Sequence, residues 1–324
     1  MVKAIVQDVY GSADVLELRE ITRPEPRDGE LLIRVRAAGV DQGVWHLMAG
    51  LPYLVRLFGY GLKKPKVPVR GREVTGVVEA VGRGVARFAP GDEVFGTCEG
   101  SFAEYACTKE DKVARKPAGL SFEEAAAAPI SGVTALQAVR DAGQVTVGQK
   151  VLILGAGGGV GSFAVQLAKA FGAEVTGVCS TGKVELVRSL GADAVIDYTT
   201  TDIAGVGKLY DVILDTAGNR PLSLLRRLLY PKGTLVIIGG ENGGKLTGGF
   251  QRSLGAPLAS LFARRKFRGL VAKETHLDLE ALASLMEAGS VKPAVDKVFP
   301  LAEAPAAIRY LREGRARGKV VVRV

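Results

Sequence analysis

The chain has 324 residues, of which 47% are hydrophobic, and a formal net charge of +9. This length predicts two domains, and no run approaches the roughly 18 apolar residues of a membrane span, which excludes stable membrane insertion. The positive charge is spread along the chain except at residues 264–268, which we interpret as a solvated helix end, so we expect no nucleic-acid partner. The N-terminus has no leader pattern, and we expect a cytoplasmic protein.

The first 120 residues have short alternating strands, such as residues 30–36, with frequent glycine and proline turns between them. This pattern is typical of an antiparallel, barrel-like domain. The last strand, at residues 318–324, has a similar character, and we expect it to return to this first domain.

A glycine-rich turn follows the apolar residues 151–154 and leads into a helical pattern at 163–169. A strand, a tight glycine turn and a helix start bring backbone N–H groups close to a pyrophosphate at the positive end of the helix, which is typical of dinucleotide binding. The predicted contacts in the turn are Ala156, Gly157, Gly158, Gly159 and Val160.

The residues after the next strand, at 174–178, indicate which dinucleotide is bound. No carboxylate lies between residues 175 and 183, where an NAD site places an acid on the ribose. Ser180 and Thr181 can instead donate hydrogen bonds to a 2′-phosphate, and Lys183 supplies a positive charge. This predicts NADPH over NADH. Alternatively, the two hydroxyls cap the helix that runs to Leu190, and Lys183 lies on its solvated face.

Strand and helix patterns continue to alternate at 210–215, 221–229 and 233–240, which indicates a parallel sheet covered on both faces. Ligands bind beyond the carboxyl ends of such strands, so residues 215–219 and 239–242 are predicted next to the cofactor. The predicted contacts there are Ala217, Gly239 and Gly240. Turn formation alone would also explain these residues.

Several segments together resemble the medium-chain dehydrogenase/reductase superfamily, and the chain is similar over its whole length to the zinc-independent quinone oxidoreductases. The matching segments are residues 71–78, 81–82, 88–96, 155–161, 193–198 and 318–321. The resemblance implies an α/β fold with a Rossmann doubly wound parallel sheet plus a GroES-like β-barrel domain. It places the substrate domain at 1–124, completed by 292–324, and the NADPH-binding domain at 125–291. It also implies NADPH as hydride donor, a homodimer, and cofactor contacts at Tyr198 and Thr134; simple helix packing is the alternative for Thr134.

The residues do not match the zinc-binding branch of this superfamily. That branch has cysteine and histidine where this chain has Asp41 and Arg72. The cysteines, Cys98, Cys107 and Cys179, match neither a disulfide framework nor a metal-ligand motif, and we expect reduced thiols. We therefore predict no metal.

Reduction without zinc requires only a hydride donor, a water-poor cleft and donors for the developing negative charge. The resemblance places the cleft wall at residues 40–53. Asp41 stands where relatives usually have asparagine, and it is predicted to orient the nicotinamide ribose or, alternatively, to handle the proton, with Arg72 as a partner for its charge. Tyr53 is predicted to donate to, or stack on, the acceptor. His46 is expected to be packed with one satisfied nitrogen.

The segment 53–66 is apolar with basic residues at its end. We interpret it as a lid over a hydrophobic acceptor, with membrane-surface contact as the alternative.

The leading hypothesis is an NADPH-dependent reductase of quinones or α,β-unsaturated carbonyl compounds. One alternative is an enoyl-thioester reductase whose basic group near Arg264 contacts carrier phosphates. The other is an NADPH-binding sensor without appreciable turnover.

Overall fold

The computed structural model describes residues 1–240, 244–249, 252, 255 and 265–324. The chain divides into two compact units. The first comprises Met1–Val133, Lys273–Gly289 and Pro293–Val324, and the second comprises Thr134–Ala272 and Ser290–Lys292. The helix α8 (His276–Glu287) belongs to the first unit. The boundaries that the resemblance implies, with the second domain at 125–291, would place this helix in the second domain instead.

The first unit is built on a mostly antiparallel sheet with the strand order β14-β15-β3-β4-β5-β7, and β6 also pairs with β3. Its last strand, β15, pairs antiparallel with β3, as expected for the final segment of the chain. Alternating apolar residues of these strands point into a buried core that includes Leu31, Ile33 and Val94. The strands are β1 (Val2–Val6), β2 (Glu17–Ile21), β3 (Glu30–Val40), β4 (Glu73–Val81), β5 (Glu93–Thr97), β6 (Tyr105–Lys109), β7 (Val113–Arg115), β14 (Val295–Pro300) and β15 (Lys319–Arg323).

The helices of the first unit range from three to twelve residues in length. α3 begins with a capping box, in which the Ser121 hydroxyl accepts from Glu124 N and the Glu124 carboxylate accepts from Ser121 N. The chain then passes through α4 into the second unit. These helices are α1 (Gln42–Ala49), α2 (Tyr53–Val55), α3 (Phe122–Ala126), α4 (Pro129–Gln137), α8 and α9 (Ala304–Arg312), and α2 continues as a π-helical turn over Arg56–Tyr60.

The second unit is a six-stranded sheet with the order β10-β9-β8-β11-β12-β13, and every pair in it is parallel. This is the doubly wound order that the alternating pattern predicted. Its strands are β8 (Lys150–Leu154), β9 (Glu174–Cys179), β10 (Ala194–Asp197), β11 (Tyr210–Asp215), β12 (Leu229–Ile237) and β13 (Lys266–Gly269). Its helices are α5 (Gly159–Ala170), α6 (Val184–Ser189) and α7 (Leu222–Arg227).

The interpretation of residues 264–268 as a helix end is wrong for the described part of that group. Lys266–Gly269 is the edge strand β13, which pairs with β12. Arg265 donates to Leu229 O at 3.0 Å, and Arg268 donates to Ala142 O at 2.7 Å. These arginines therefore satisfy backbone carbonyls of their own unit. Arg264 lies outside the described residues.

In the described part of the chain, no helix is both long enough and apolar enough to traverse a bilayer.

Candidate functional site

The glycine turn connects β8 to α5 through tight backbone contacts. Gly155 has a φ of +77°, which favours glycine, and its carbonyl accepts from Gly158 N at 3.0 Å. A Cβ on Gly161 would lie 2.1 Å from Gly155 O, so only glycine lets the helix pack this closely on the turn. The turn thus has the compactness that the sequence pattern predicted.

Among the described residues, no side chain caps the N-terminus of α5. Its N-cap is Gly158, and no side chain makes a capping hydrogen bond there. The first N–H groups of a helix have no partner within the helix, so those of Gly159 and Val160 remain available to an anion. A Cβ on Gly158 would meet no atom closer than 3.3 Å, which leaves the backbone open to a ligand.

The residues after β9 pack beside this turn. A Cβ on Gly157 would lie 2.7 Å from the Cβ of Lys183, so the stem of Lys183 covers the turn. Ser180 precedes a 3-10 turn at Thr181–Lys183 and makes no capping hydrogen bond, and none is made at the start of α6. The alternative interpretation of Ser180 and Thr181 as helix caps is therefore wrong.

A carboxylate that the sequence interpretation missed lies beside Thr181. The Thr181 hydroxyl donates to Asp197 Oδ2 at 2.6 Å and contacts the Thr199 hydroxyl at 2.8 Å. The hydrogen bonds from Thr181 and Thr199 hold the pKa of Asp197 below its ordinary value, so this carboxylate is ionised at neutral pH. The Thr181 hydroxyl is thus engaged by Asp197.

Tyr198 follows β10 at the same edge of the sheet. Its N–H donates to Cys179 O at 3.1 Å, and its ring is half exposed. The guanidinium of Arg220 lies 5.8 Å from the ring centroid. An aromatic face and a cation therefore stand together where the parallel strands end.

The loops after β11 and β12 close on the glycine turn. Thr216 Oγ1 donates to Leu154 O at 2.6 Å, and a Cβ on Gly155 would lie 3.4 Å from the Cβ of Ala217. A Cβ on Gly239 would lie 2.1 Å from Thr216 O, so these loops pack backbone to backbone. Ala217, Gly239 and Gly240 thus lie at one edge with the glycine turn. Residues 241 and 242, predicted on this rim, lie outside the described residues.

Buried Asp215 anchors this edge. Its Oδ1 accepts from Gly218 N at 2.9 Å, and its Oδ2 accepts from Arg252 at 3.0 Å. Burial raises the pKa of Asp215, while these donors and the charge of Arg252 oppose the rise.

Thr134 lies on α4, half-buried, in the second unit.

In the first unit, Asp41 is the N-cap of α1. Its Oδ1 accepts from Val44 N at 2.9 Å, whereas its buried Oδ2 has no partner among the described residues. A Cβ on Gly43 would lie 2.7 Å from Asp41 Oδ1 and 2.9 Å from Arg72 Nη1, so the carboxylate and the guanidinium flank the same point. The expected neighbour for the charge of Asp41 is therefore present.

Arg72 connects Asp41 to a second acid. Its Nη2 donates to Glu274 Oε1 at 3.3 Å. Burial lowers the pKa of Arg72, but the carboxylates of Asp41 and Glu274 outweigh it, so the pKa lies above its ordinary value. A fixed positive charge stands where the zinc-binding branch has a histidine ligand, and this donor set does not fit a zinc ion.

A cavity of about 620 Å³ opens in the first unit beside Arg72. Val44 and Leu47 of α1 line one wall, and Tyr60 lines another. The segment carrying Tyr60 is held by Tyr10, whose hydroxyl donates to Gly61 O at 2.6 Å. The cavity therefore combines apolar walls with polar groups, as small-molecule sites do.

Tyr53 is not among the residues that line this cavity. It is half exposed, and the guanidinium of Arg56 lies 4.8 Å from its ring centroid. His46 Nδ1 donates to Leu51 O at 2.7 Å, which agrees with the expected packed histidine. Tyr60 is the phenol that faces the cavity, and the sequence offered no signal to prefer it over Tyr53.

The thiols are unpaired, and burial raises the pKa of each of them, to about 11 for Cys107. They are therefore protonated at neutral pH. Across the described residues, no three His, Cys, Asp or Glu side chains are grouped so as to hold a metal ion.

Comparison with known proteins matches two stretches of the chain to protein families. Residues 27–118 match "Alcohol dehydrogenase GroES-like domain", and residues 190–322 match "Zinc-binding dehydrogenase".

Curated relatives and solved structures match almost the whole chain. The 2-methylene-furan-3-one reductase of Solanum lycopersicum is 34% identical, with 97% of this chain and 76% of that protein covered. The chloroplastic NADPH-dependent alkenal/one oxidoreductase of Arabidopsis thaliana is 34% identical, with 99% and 79% covered. The structure of the quinone oxidoreductase from Coxiella burnetii superposes with a TM-score of 0.85 at 28% identity, covering 100% of this chain and 99% of that one.

Proposed function

Because this chain belongs to the quinone oxidoreductase-like family of the medium-chain dehydrogenase/reductase superfamily, we propose that it reduces a quinone or an α,β-unsaturated carbonyl compound with NADPH. The observation that carries this proposal is the glycine turn with the uncapped N-terminus of α5 at the carboxyl edge of a parallel sheet. The relatives support it, since their names specify enone, alkenal and quinone acceptors.

In this proposal the second unit binds NADPH and the first unit binds the acceptor. The N–H groups of Gly159 and Val160 bind the pyrophosphate, Ser180 and Lys183 contact the 2′-phosphate, and Tyr198 stacks near the adenosine. Bound NADPH supplies a hydride, which the acceptor takes up with a proton. The other proposed contacts are Thr134, Ala156, Gly157, Gly158, Thr181, Ala217, Gly239 and Gly240.

The first unit provides hydrogen-bond donors without a metal. Asp41, already bound to Val44 N through one oxygen, has a second buried oxygen that can accept from a ribose hydroxyl. Arg72 keeps that carboxylate charge balanced and places a positive charge beside the cavity, where it stabilises a developing oxyanion. A phenol completes the set. Tyr53 is the residue proposed from the sequence, and Tyr60 is the one that lines the cavity.

The segment from Tyr53 to Lys66 acts as a cover over this cavity. Tyr60 and Lys66 both line it, and the Tyr10 hydroxyl donates to Gly61 O at 2.6 Å, which ties the segment to the rest of the first unit. A cover that excludes water strengthens every electrostatic contact beneath it. These contacts favour a lid over a membrane contact.

A spectrophotometric screen tests the function. Oxidation of NADPH and of NADH is followed across quinones, enals and enones, with matching acyl-CoA thioesters in parallel. We expect turnover of free enones or quinones with preference for NADPH. A strong preference for thioesters would favour the enoyl-thioester reductase instead. Tight NADPH binding with no acceptor oxidising it faster than buffer would favour the sensor.

We also propose that the enzyme works as a homodimer, as the family resemblance implies, and that it is located in the cytoplasm. Light scattering coupled to size exclusion should give twice the mass of one chain, and a monomer at working concentration would contradict this. Cell fractionation tests the location.

A further inference from the structure

Arg70 is a buried arginine on the wall of the first unit's cavity. It precedes β4, lies two residues before Arg72, and its surface is only 6% exposed. Its backbone is fixed on both sides, since Arg70 N donates to Ile5 O at 3.0 Å and Phe102 N donates to Arg70 O at 2.8 Å. The main chain of Arg70 is therefore fixed beside the cavity.

No described residue forms an ion pair or a side-chain hydrogen bond with this guanidinium. Its Nε is buried without a partner. Arg72, by contrast, is paired with Glu274. A buried ionised group without a partner is costly, and such groups in proteins are normally paired.

The neighbours of Arg70 do not neutralise it. Tyr10 and Glu99 are its electrostatic neighbours. Burial raises the pKa of Tyr10 despite nearby arginines, so its phenol is neutral at pH 7, and both its hydrogen bonds go to carbonyls of the 60–61 segment. Glu99 is exposed and forms no ion pair with Arg70. Burial lowers the pKa of Arg70 to about 10, so it stays charged at neutral pH.

The cavity as a whole, Arg70 included, is lined by more cations than anions. Its cations outnumber its anions by five to three, and Glu274 is already engaged by Arg72. The charged side chains are Lys66, Arg70, Arg72, Lys109 and Lys112 against Glu30, Glu99 and Glu274. In a cavity with this excess of positive charge, a planar guanidinium can donate two parallel hydrogen bonds to the paired oxygens of a carboxylate or phosphate.

We propose that Arg70 is a specificity-determining residue that binds an anionic oxygen group, a carboxylate or a phosphate, carried by the acceptor. This rests on the proposed function, since it assigns the class of acceptor for the same site. Arg70 would contact the acceptor's anionic end and Arg72 would face its reacting carbonyl.

Matched acceptors test this with the full-length protein. Initial rates of NADPH oxidation are measured with 4-oxopent-2-enoate and with its methyl ester, for the wild type, Arg70→Met and Arg70→Lys. Arg83→Met is the control, because Arg83 forms an exposed surface pair with Asp28. Without NADPH, calorimetry measures binding of pentanoate, methyl pentanoate and inorganic phosphate to the same proteins.

We expect Arg70→Met to raise KM for the acid roughly 10- to 100-fold, the range for a lost charge-assisted hydrogen bond, with little change in kcat or in KM for the ester. Arg70→Lys should recover part of the loss, and Arg83→Met should change nothing. The melting temperature of Arg70→Met should equal or exceed that of the wild type, because a buried unpaired charge is removed. A merely structural arginine would give a clear drop.

Equal effects of Arg70→Met on acid and ester, or pentanoate binding that survives Arg70→Met, would overturn the proposal. Phosphate binding that Arg70→Met abolishes, without pentanoate binding, would support it with a phosphorylated acceptor. If no acceptor is reduced but anions still bind in an Arg70-dependent manner, the anion site stands and the proposed function fails. Absence of both turnover and anion binding would overturn both.

Discussion

Loss of the Lys319 ammonium should destabilise the first unit strongly, and more so at high pH. Lys319 on β15 forms an ion pair with Glu73 on β4, and both side chains are almost fully buried, at 2% and 0% exposure. Lys319 Nζ also donates to Ser131 Oγ at 3.2 Å, and Glu73 Oε1 accepts from Ile130 N at 2.9 Å in the first turn of α4. This group joins three elements that are far apart in the sequence.

Lys319→Met leaves Glu73 buried without its cation. Breaking a buried pair in this way costs about 3–5 kcal/mol. At roughly 2–4 °C per kcal/mol for a domain of this size, the melting temperature should fall by about 6–20 °C. The control is Arg309→Met, because Arg309 and Asp14 form an exposed pair, and such pairs contribute at most about 1 kcal/mol.

The pH dependence follows from the pKa of Glu73. Burial raises this pKa to about 7, and Lys319 is the main group that opposes the rise, so the substitution should raise it further. A carboxyl group whose pKa is higher in the folded protein than in the unfolded chain stabilises the fold fully at pH values below its pKa in the unfolded chain. This stabilisation is lost as the pH rises through the pKa of the group in the folded protein. The wild type should stop losing stability near pH 7, whereas Lys319→Met should continue to lose it above pH 7.

Thermal melts between pH 5.5 and 9 measure both effects. The difference in melting temperature between Lys319→Met and the wild type should increase above pH 7. Combining Glu73→Gln with Lys319→Met should remove that increase. A decrease in melting temperature no larger than that of Arg309→Met would contradict this prediction. A difference between Lys319→Met and the wild type that becomes smaller as pH rises would also contradict it.

Three further predictions concern binding and chemistry. Lys183→Ala should weaken NADPH binding roughly 10- to 100-fold while NADH changes little, and equal loss for both in calorimetric titrations would contradict a phosphate contact. Asp197→Asn should shift the ratio of dissociation constants towards NADPH, because it removes a negative charge beside Thr181, and an unchanged ratio would place the phosphate elsewhere. Of the two phenols, Tyr60→Phe should lower kcat more than Tyr53→Phe, because Tyr60 lines the cavity, and the opposite order in steady-state assays would restore Tyr53 as the donor.

Local patterns predicted the second unit well. The strand at residues 210–215 has the predicted bounds, and the glycine turn packs as its spacing requires. Both depend on neighbouring residues along the chain. The strand β13 was missed because two basic residues in a four-residue edge strand resemble a solvated surface when only their composition is considered.

The features that the sequence could not predict depend on contacts between distant elements. Asp197 reaches Thr181 because β10 and β9 are parallel neighbours, although the sequence between residues 175 and 183 has no acid. The pair of Glu73 and Lys319 joins residues 246 positions apart. Arg72 has an ion-pair partner and Arg70 has none among the described residues, which no spacing reveals.

Isotope transfer with metal-stripped protein tests the central claim most directly. The enzyme is dialysed against a chelator, checked for metal content, and allowed to reduce an enone with NADPH deuterated at C4, each diastereomer in turn. We expect one diastereomer to deliver a single deuterium to the β-carbon of the product, at a rate that added zinc does not change. A product without deuterium from either diastereomer, or transfer that requires stoichiometric zinc, would contradict it.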